Sequence, residues 1–113
     1  VVVNAPISDE VISRIKQVVD IPVIATIVSE RMDIRSRMEA GADFLNVSGA
    51  AATPQIVRSI RTQFPDVPIL ATGGPNDETI LKTIRAGANA ITYSPPSNGE
   101  LFADIMQKYR GKL

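Results

Sequence analysis

The chain has 113 residues, 44% of them hydrophobic, which is enough to build one globular domain with a core. Its 12 basic and 12 acidic residues cancel, so we expect neither nucleic acid nor an anionic membrane surface as a partner. The absence of cysteine and histidine excludes disulfides, zinc clusters and imidazole-based triads. We expect no metal, no cofactor and a cytoplasmic location, because the sequence contains neither a membrane-length apolar run nor a visible signal peptide.

Short apolar runs alternate with helical patterns along the chain. Because the residues of each run are apolar without a clear in-out alternation, they predict parallel strands that are buried on both faces. The predicted strands cover residues 1–5, 21–27, 44–49, 68–73 and 90–94.

The segments between the predicted strands show apolar residues at helical spacing, which predicts five amphipathic helices. Gly41 and Gly87 stand where the second and fourth helices must stop. The first helix carries the stripe Val11, Ile12, Ile15, Val18 and Val19, the third carries Ile56, Val57, Ile60 and Phe64, and the fifth carries Leu101, Phe102, Ile105, Met106 and Tyr109. The expected N-caps are Ser8, Ser29, Thr53, Asn76 and Ser97.

The chain contains an internal repeat. Residues 20–48 align without a gap on residues 66–94, at an offset of 46. Within the alignment, Ala40-Gly41-Ala42 matches Ala86-Gly87-Ala88. The repeat predicts a strand–helix–strand–helix module that is used twice.

Strands and helices in strict alternation predict a parallel sheet with right-handed crossovers. We therefore expect residues 1–113 to form a single α/β domain of five consecutive βα units, a partial barrel of the TIM type. A complete eight-unit barrel needs about 250 residues, and this sequence begins inside a strand pattern without a methionine. The expectation is thus a piece of a longer (β/α)8 barrel. The alternative is an open doubly wound, flavodoxin-like sheet, for which five units are enough.

In both architectures, ligands bind at the carboxyl ends of the strands. A polar residue within a buried strand needs either a hydrogen-bond partner in the core or a ligand, and both roles stay open for Asn46 and Thr92. The Gly73-Gly74 turn precedes a helix and would offer backbone N–H groups to an anion. The expected ligand- or phosphate-binding residues are Thr72, Gly73, Gly74, Ser94, Asn46 and Thr92.

Few side chains near this edge could act on a substrate. Glu30 follows the second strand and is the candidate acid or base, with Asn46 as the other candidate catalytic residue. A Schiff base requires a lysine in the pocket, whereas all four lysines fall in the predicted helices or the tail. They are Lys16, Lys82, Lys108 and Lys112.

Four segments taken together carry a resemblance that covers nearly the whole chain: residues 21–24, 39–46, 64–68 and 72–74. In these segments, exemplified by Ala40-Gly41-Ala42-Asp43 and Thr72-Gly73-Gly74, the sequence resembles the 2-keto-3-deoxy-6-phosphogluconate (KDPG) aldolase family of phosphate-binding TIM barrels. The resemblance implies the C-terminal five of eight βα units. It also implies a phosphate site between the Gly73-Gly74 turn and a second turn after the last strand.

The sequence departs from that family at two places. The position that matches the Schiff-base lysine of the family is Asn46, which cannot form an imine. The second phosphate turn reads Ser94-Pro95-Pro96-Ser97, in which two prolines remove two N–H donors.

From these features we expect an aldolase-like barrel protein that binds a small polar or phosphorylated metabolite. If it is an enzyme, it is expected to be a lyase or isomerase that works without Schiff-base chemistry. The alternative is a non-catalytic ligand-binding or regulatory barrel, or an inactive fragment. Because an unclosed parallel sheet exposes two strand edges, we also expect a homo-oligomer.

Overall fold

A computed structural model describes residues 1–73, 77–93 and 98–111. It confirms five parallel βα units, in which the strands are shorter than the apolar runs that predicted them. A 3-10 turn, Ala50–Ala52, leads into the third helix. The elements in chain order are β1 (Val2–Val3), α1 (Asp9–Val18), β2 (Ile24–Ile27), α2 (Ile34–Ala40), β3 (Phe44–Val47), α3 (Thr53–Gln63), β4 (Ile69–Thr72), α4 (Asp77–Ala86), β5 (Ala90–Thr92) and α5 (Asn98–Gly111).

The five strands form one open sheet in the order β1-β2-β3-β4-β5, with every neighbouring pair parallel. A doubly wound sheet reverses its strand order at a switch point, so that its helices cover both faces. This sheet has no such reversal within the described strands. The flavodoxin-like alternative is therefore wrong, and the sheet is of the singly wound, barrel type.

The two faces of the sheet differ in burial. On one face Ala25, Leu45 and Ala71 are buried with their i+2 or i−2 neighbours, and this face packs against core residues of the helices such as Ile12 and Ile56. On the other face the strand residues are half-buried or exposed. We call this second side the open face. The expectation of burial on both faces is wrong, because only strands across a closed barrel would cover the open face, and this sheet is open.

The N-caps in the structure agree with the predicted N-caps in part. Ser8 is confirmed as the N-cap of α1, where its hydroxyl accepts a bond from the Val11 N–H. Ser29 is not a cap, since Asp33 caps α2 by accepting from the Ser36 N–H at 3.0 Å. Thr53 is the first residue of α3 rather than its N-cap. The Thr53 hydroxyl instead accepts from the Gly49 N–H at 2.9 Å. The two remaining expected caps, Asn76 and Ser97, lie outside the described residues.

One hydrogen-bonded group ties β2 to β3 at the amino ends of the strands. The Asp43 carboxylate accepts from the Val23 N–H at 2.8 Å and from Lys16 Nζ at 2.7 Å. The Asp43 N–H in turn donates to the Val23 carbonyl at 2.8 Å. Gly41 has φ 122°, and a Cβ there would lie 3.0 Å from Lys16 Cγ. Glycine at this position therefore avoids a steric clash with the Lys16 side chain. We call Lys16, Gly41, Asp43 and Val23 the first latch.

The same bonds recur between β4 and β5. The Asn89 side-chain oxygen accepts from the Ile69 N–H at 2.9 Å and from Arg61 Nη2 at 2.8 Å. The Asn89 N–H donates to the Ile69 carbonyl at 2.8 Å. Gly87 has φ 120°, and a Cβ there would lie 2.9 Å from Arg61 Cγ. Arg61, Gly87, Asn89 and Ile69 form the second latch, whose glycine, Asx and strand residues stand 46 positions after those of the first.

The latches differ in charge, which gives a prediction about acid stability. The Lys16 ammonium, bonded to Asp43, holds the pKa of that carboxyl below its usual value, and the Val23 N–H acts in the same direction. A pKa lowered by folding contributes stability above the unfolded pKa of about 3.9, and this contribution is lost as pH falls through the folded value. Asp43→Asn keeps the acceptor, as Asn89 does, but removes the charge. We expect a lower free energy of unfolding at pH 7 and a smaller loss of stability on acidification.

Urea unfolding between pH 7 and pH 2 measures both effects. Asp104→Asn is the matched control, because it removes a carboxylate that pairs with Lys108, at 3.0 Å on the exposed surface of α5. If Asp43→Asn and the parent chain lose the same stability between these pH values, the charge of the first latch contributes nothing.

Candidate functional site

Polar side chains gather on the open face toward the carboxyl ends of four strands. Thr26 pairs with Asn46 in the register of β2 and β3, and Thr72 pairs with Thr92 in the register of β4 and β5. Between them, Leu70 pairs with Asn46. We call Thr26, Asn46, Thr72 and Thr92 the polar cluster. The structure therefore places three of the predicted site residues on one face of the sheet and adds Thr26. The Thr72–Thr92 pair stands two residues further along the strands than the row that contains Asn46 and Leu70.

The polar cluster is available to a ligand. Thr26 and Asn46 are half-buried, and Thr72 and Thr92 are exposed. Within residues 1–73, 77–93 and 98–111, no side chain or backbone group is hydrogen-bonded to the side-chain atoms of these four residues. A half-buried amide such as that of Asn46 gains free energy from a polar partner, because desolvation without one is unfavourable. Water or a polar ligand on the open face can supply that partner.

Gly73 is held by the sheet. Its N–H donates to the Thr92 carbonyl at 2.7 Å, which extends the pairing of β4 with β5 by one residue. A Cβ on Gly73 would lie 2.7 Å from Ile91 Cγ2 and 3.0 Å from Ile80 Cγ1, so the glycine also permits close packing against α4. The Gly73 amide is thus already engaged and is not free to bind an anion. Gly74 and Ser94, the other predicted donors, lie outside the described residues.

Glu30 lies away from the polar cluster. It lines a groove of about 370 Å³ between α2 and α3, on the helix side of the sheet. The Arg35 guanidinium also lines this groove and lies 5.2 Å from the centroid of the Phe64 ring. The two candidate catalytic residues, Glu30 and Asn46, are therefore on opposite sides of the sheet. Sequence reasoning placed Glu30 near a strand end but could not show which face the connection follows.

Each described lysine forms an ion pair with a carboxylate outside the polar cluster. Lys16 belongs to the first latch, at the amino ends of the strands. Lys82 lies 3.5 Å from Glu78 on the surface of α4, and Lys108 pairs with Asp104 on α5. Lys112 lies outside the described residues. Among the lysines that the structure describes, none belongs to the polar cluster.

Arg37 of α2 holds the segment between β1 and α1, a role that the sequence did not reveal. Its Nη2 donates to the Ala5 carbonyl at 2.6 Å, and its Nη1 bonds Asp9 at 3.0 Å and the Ile7 carbonyl. The side chain is only 12% exposed. Arg37 therefore fixes the connection that follows β1 at the carboxyl edge of the sheet. In the sequence it is one more charged residue of a helical pattern, without a motif to distinguish it.

None of the described helices is both long enough and apolar enough to cross a membrane.

Solved structures with the same fold exist. One, described as the native KDPGal structure, superimposes with a TM-score of 0.65 at 24% sequence identity over 83% of this chain. Another is a cube-shaped, highly porous protein cage designed by fusing symmetric oligomeric domains, with a TM-score of 0.64 and 24% identity over 81% of this chain. No protein-family model matches the sequence, and no curated protein matches it.

These likenesses define the fold class. The chain spans 46% of the length of the KDPGal protein and 34% of that of the cage protein, so it corresponds to less than half of either. Identity at this level establishes the fold and leaves the chemistry to the residues of the site. The aldolase-like α/β fold expected from the sequence resemblance is confirmed.

Proposed function

We propose that this chain is an aldolase-like barrel protein that binds a small polar or phosphorylated metabolite over the polar cluster. Any lyase or isomerase reaction there proceeds without a Schiff base. The main support for this proposal is that four polar residues share the open face near the carboxyl ends of their strands. No described residue is hydrogen-bonded to the side chains of these four residues, which are Thr26, Asn46, Thr72 and Thr92. Barrel-type sheets bind their ligands at this edge.

The donors and acceptors of the cluster suit hydroxyl and phosphoryl groups. Three threonine hydroxyls each donate one bond and accept others, and the Asn46 amide supplies both a donor pair and an acceptor. None of the four is charged, so a phosphate here would be held by neutral hydrogen bonds. Binding by neutral groups alone supports millimolar rather than micromolar affinity for a free anion.

A non-catalytic ligand-binding role is the second candidate, and the position of Glu30 favours it. Acid–base catalysis requires a group within hydrogen-bond reach of the reacting atom. Glu30 lines the groove between α2 and α3, and the polar cluster itself contains no titratable side chain. In this second function the site recognises a metabolite and leaves it unchanged.

Inorganic phosphate is the probe for the proposed site. We expect saturable binding in the millimolar range. Chemical-shift changes at the backbone amides of β3 and β5 measure this binding. Asn46→Leu and Thr92→Val each remove a side-chain hydrogen bond while largely preserving volume. Each should raise the dissociation constant roughly 2- to 10-fold, since a net hydrogen bond contributes about 0.5–1.5 kcal/mol.

Thr62→Val is the matched control for this titration. The Thr62 hydroxyl donates to the Arg58 carbonyl within α3, at 2.9 Å, and Thr62 does not belong to the polar cluster. Its substitution should leave phosphate affinity unchanged. A titration without a saturable shift would contradict phosphate binding at the polar cluster. Equal affinities in the parent chain and the three variants would contradict it as well.

Borohydride trapping tests the chemistry separately. With pyruvate as the keto-acid probe, the parent chain should yield no covalent adduct by mass spectrometry, because Asn46 cannot form an imine. Asn46→Lys restores an amine at the same position, and an adduct confined to that variant would show that the probe reaches the open face. An adduct on any lysine of the parent chain contradicts the proposed chemistry.

A further inference from the structure

The helices that cover the sheet leave a gap between α2 and α3. α1 packs against α2, and α3 packs against α4, whereas α2 and α3 make little direct contact with each other. The repeat aligns Arg31 with Asp77, the first residue of α4, yet α2 begins only at Ile34. α2 therefore lacks the opening turn of α4, and residues 28–33 form a connection instead. The groove that Glu30 lines occupies this gap, between two helices that each have a packed neighbour on the other side.

The groove combines an apolar lining with polar walls. Ile34 and Ile60 line it and are buried, and the Phe64 ring beside them is half-buried. Its volume of about 370 Å³ lies within the range of sites that bind small molecules, roughly 300–1,000 Å³. The apolar lining favours a ligand that has an aliphatic part, because contact there removes apolar surface from water.

Two side chains of opposite charge line this groove without neutralising each other. Among the residues that the structure describes, the Glu30 carboxylate has no ion-pair or hydrogen-bond partner. Arg35 lacks a carboxylate partner among the same residues, and its guanidinium lies 5.2 Å from the centroid of the Phe64 ring. That contact holds the positive charge toward α3. The third charged residue of the lining, Asp33, is engaged as the cap of α2. The groove therefore offers one positive and one negative group to a ligand.

We propose that this groove binds a free α-amino acid with an aliphatic side chain. The α-carboxylate of the ligand bonds the Arg35 guanidinium, and its α-ammonium bonds the Glu30 carboxylate. The aliphatic side chain lies against Ile34 and Ile60. A simple anion or a simple cation would leave one of the two charged residues without a partner. The site is separate from the polar cluster, because the groove lies on the helix side of the sheet.

Leucine is the probe, titrated into the 113-residue chain and followed by chemical-shift changes at the backbone amides of residues 29–35 and 59–64. We expect saturable binding with a dissociation constant of about a millimolar, because both charged side chains are exposed to water and each pair is weak. The amides of β5 should not shift. Isocaproate lacks the ammonium group of leucine, and isoamylamine lacks its carboxylate. Each should bind about twofold to fivefold more weakly than leucine.

Two variants assign the two charges. Arg35→Gln should weaken leucine binding about twofold to fivefold and leave isoamylamine binding unchanged. Glu30→Gln should weaken leucine binding to the same extent and leave isocaproate binding unchanged. Arg58→Gln and Glu39→Gln are the matched controls, because these exposed residues of α3 and α2 do not line the groove, and both should bind leucine as the parent does.

Three results overturn the proposal. The first is a leucine titration without a saturable shift at the groove. The second is binding of isocaproate or isoamylamine as tight as that of leucine. The third is unchanged leucine affinity in Arg35→Gln or Glu30→Gln, with circular dichroism showing that the variant is folded.

Discussion

The hydrogen bond from a strand N–H to the side chain that opens the next strand is the constraint on which the rest of the structure depends. Asp43 accepts from Val23, and Asn89 accepts from Ile69. In each case a basic residue of the helix before the first strand of the pair, Lys16 of α1 or Arg61 of α3, donates to the same side chain. These bonds lie at the amino ends of the strands. They set where β3 starts against β2 and where β5 starts against β4, and a parallel pair once started has its register fixed along its length.

The register then places the polar cluster at the other end of the sheet. Once Asp43 is bonded to Val23, Ile24 pairs with Phe44, and two residues further on Thr26 pairs with Asn46. In the second module Leu70 pairs with Ala90, and Thr72 with Thr92. A slip of one residue would turn these polar side chains into the helix-packed core. Stability at the amino edge and ligand binding at the carboxyl edge are the division of labour common to barrel-type sheets.

The sequence predicted what local patterns determine. Five apolar runs identified the five strands, and Gly41 and Gly87 marked helix ends because both have positive φ with a basic side chain packed against them. Asn46 and Thr92 stood out because each is a polar residue within an apolar strand. The Asx positions of the latches, in contrast, looked like ordinary polar residues after a turn, because their partners are 20 residues away in the chain.

What the sequence could not predict depends on packing between distant segments. Uniformly apolar strands suggested burial on both faces, but burial of the open face requires strands opposite it, and these five form an open sheet. The Gly73 amide looked free for an anion until its bond to Thr92 was seen. Glu30 follows a strand as a ligand-edge residue should, yet the connection carries it to the groove between α2 and α3. The path of a connection depends on helix packing, which the local sequence does not encode.

The coupling between the first latch and the carboxyl edge is measured most directly by amide hydrogen exchange in Asp43→Ala. The Ser48 N–H, which donates to the Ile27 carbonyl at 2.9 Å, reports the far end of the β2–β3 pair. We predict that Val23 and Ser48 both exchange at least about tenfold faster in the variant, while Gly73, in the second module, keeps its protection. Faster exchange at Val23 with unchanged protection at Ser48 would contradict the account, because the register at the site would then be independent of the latch.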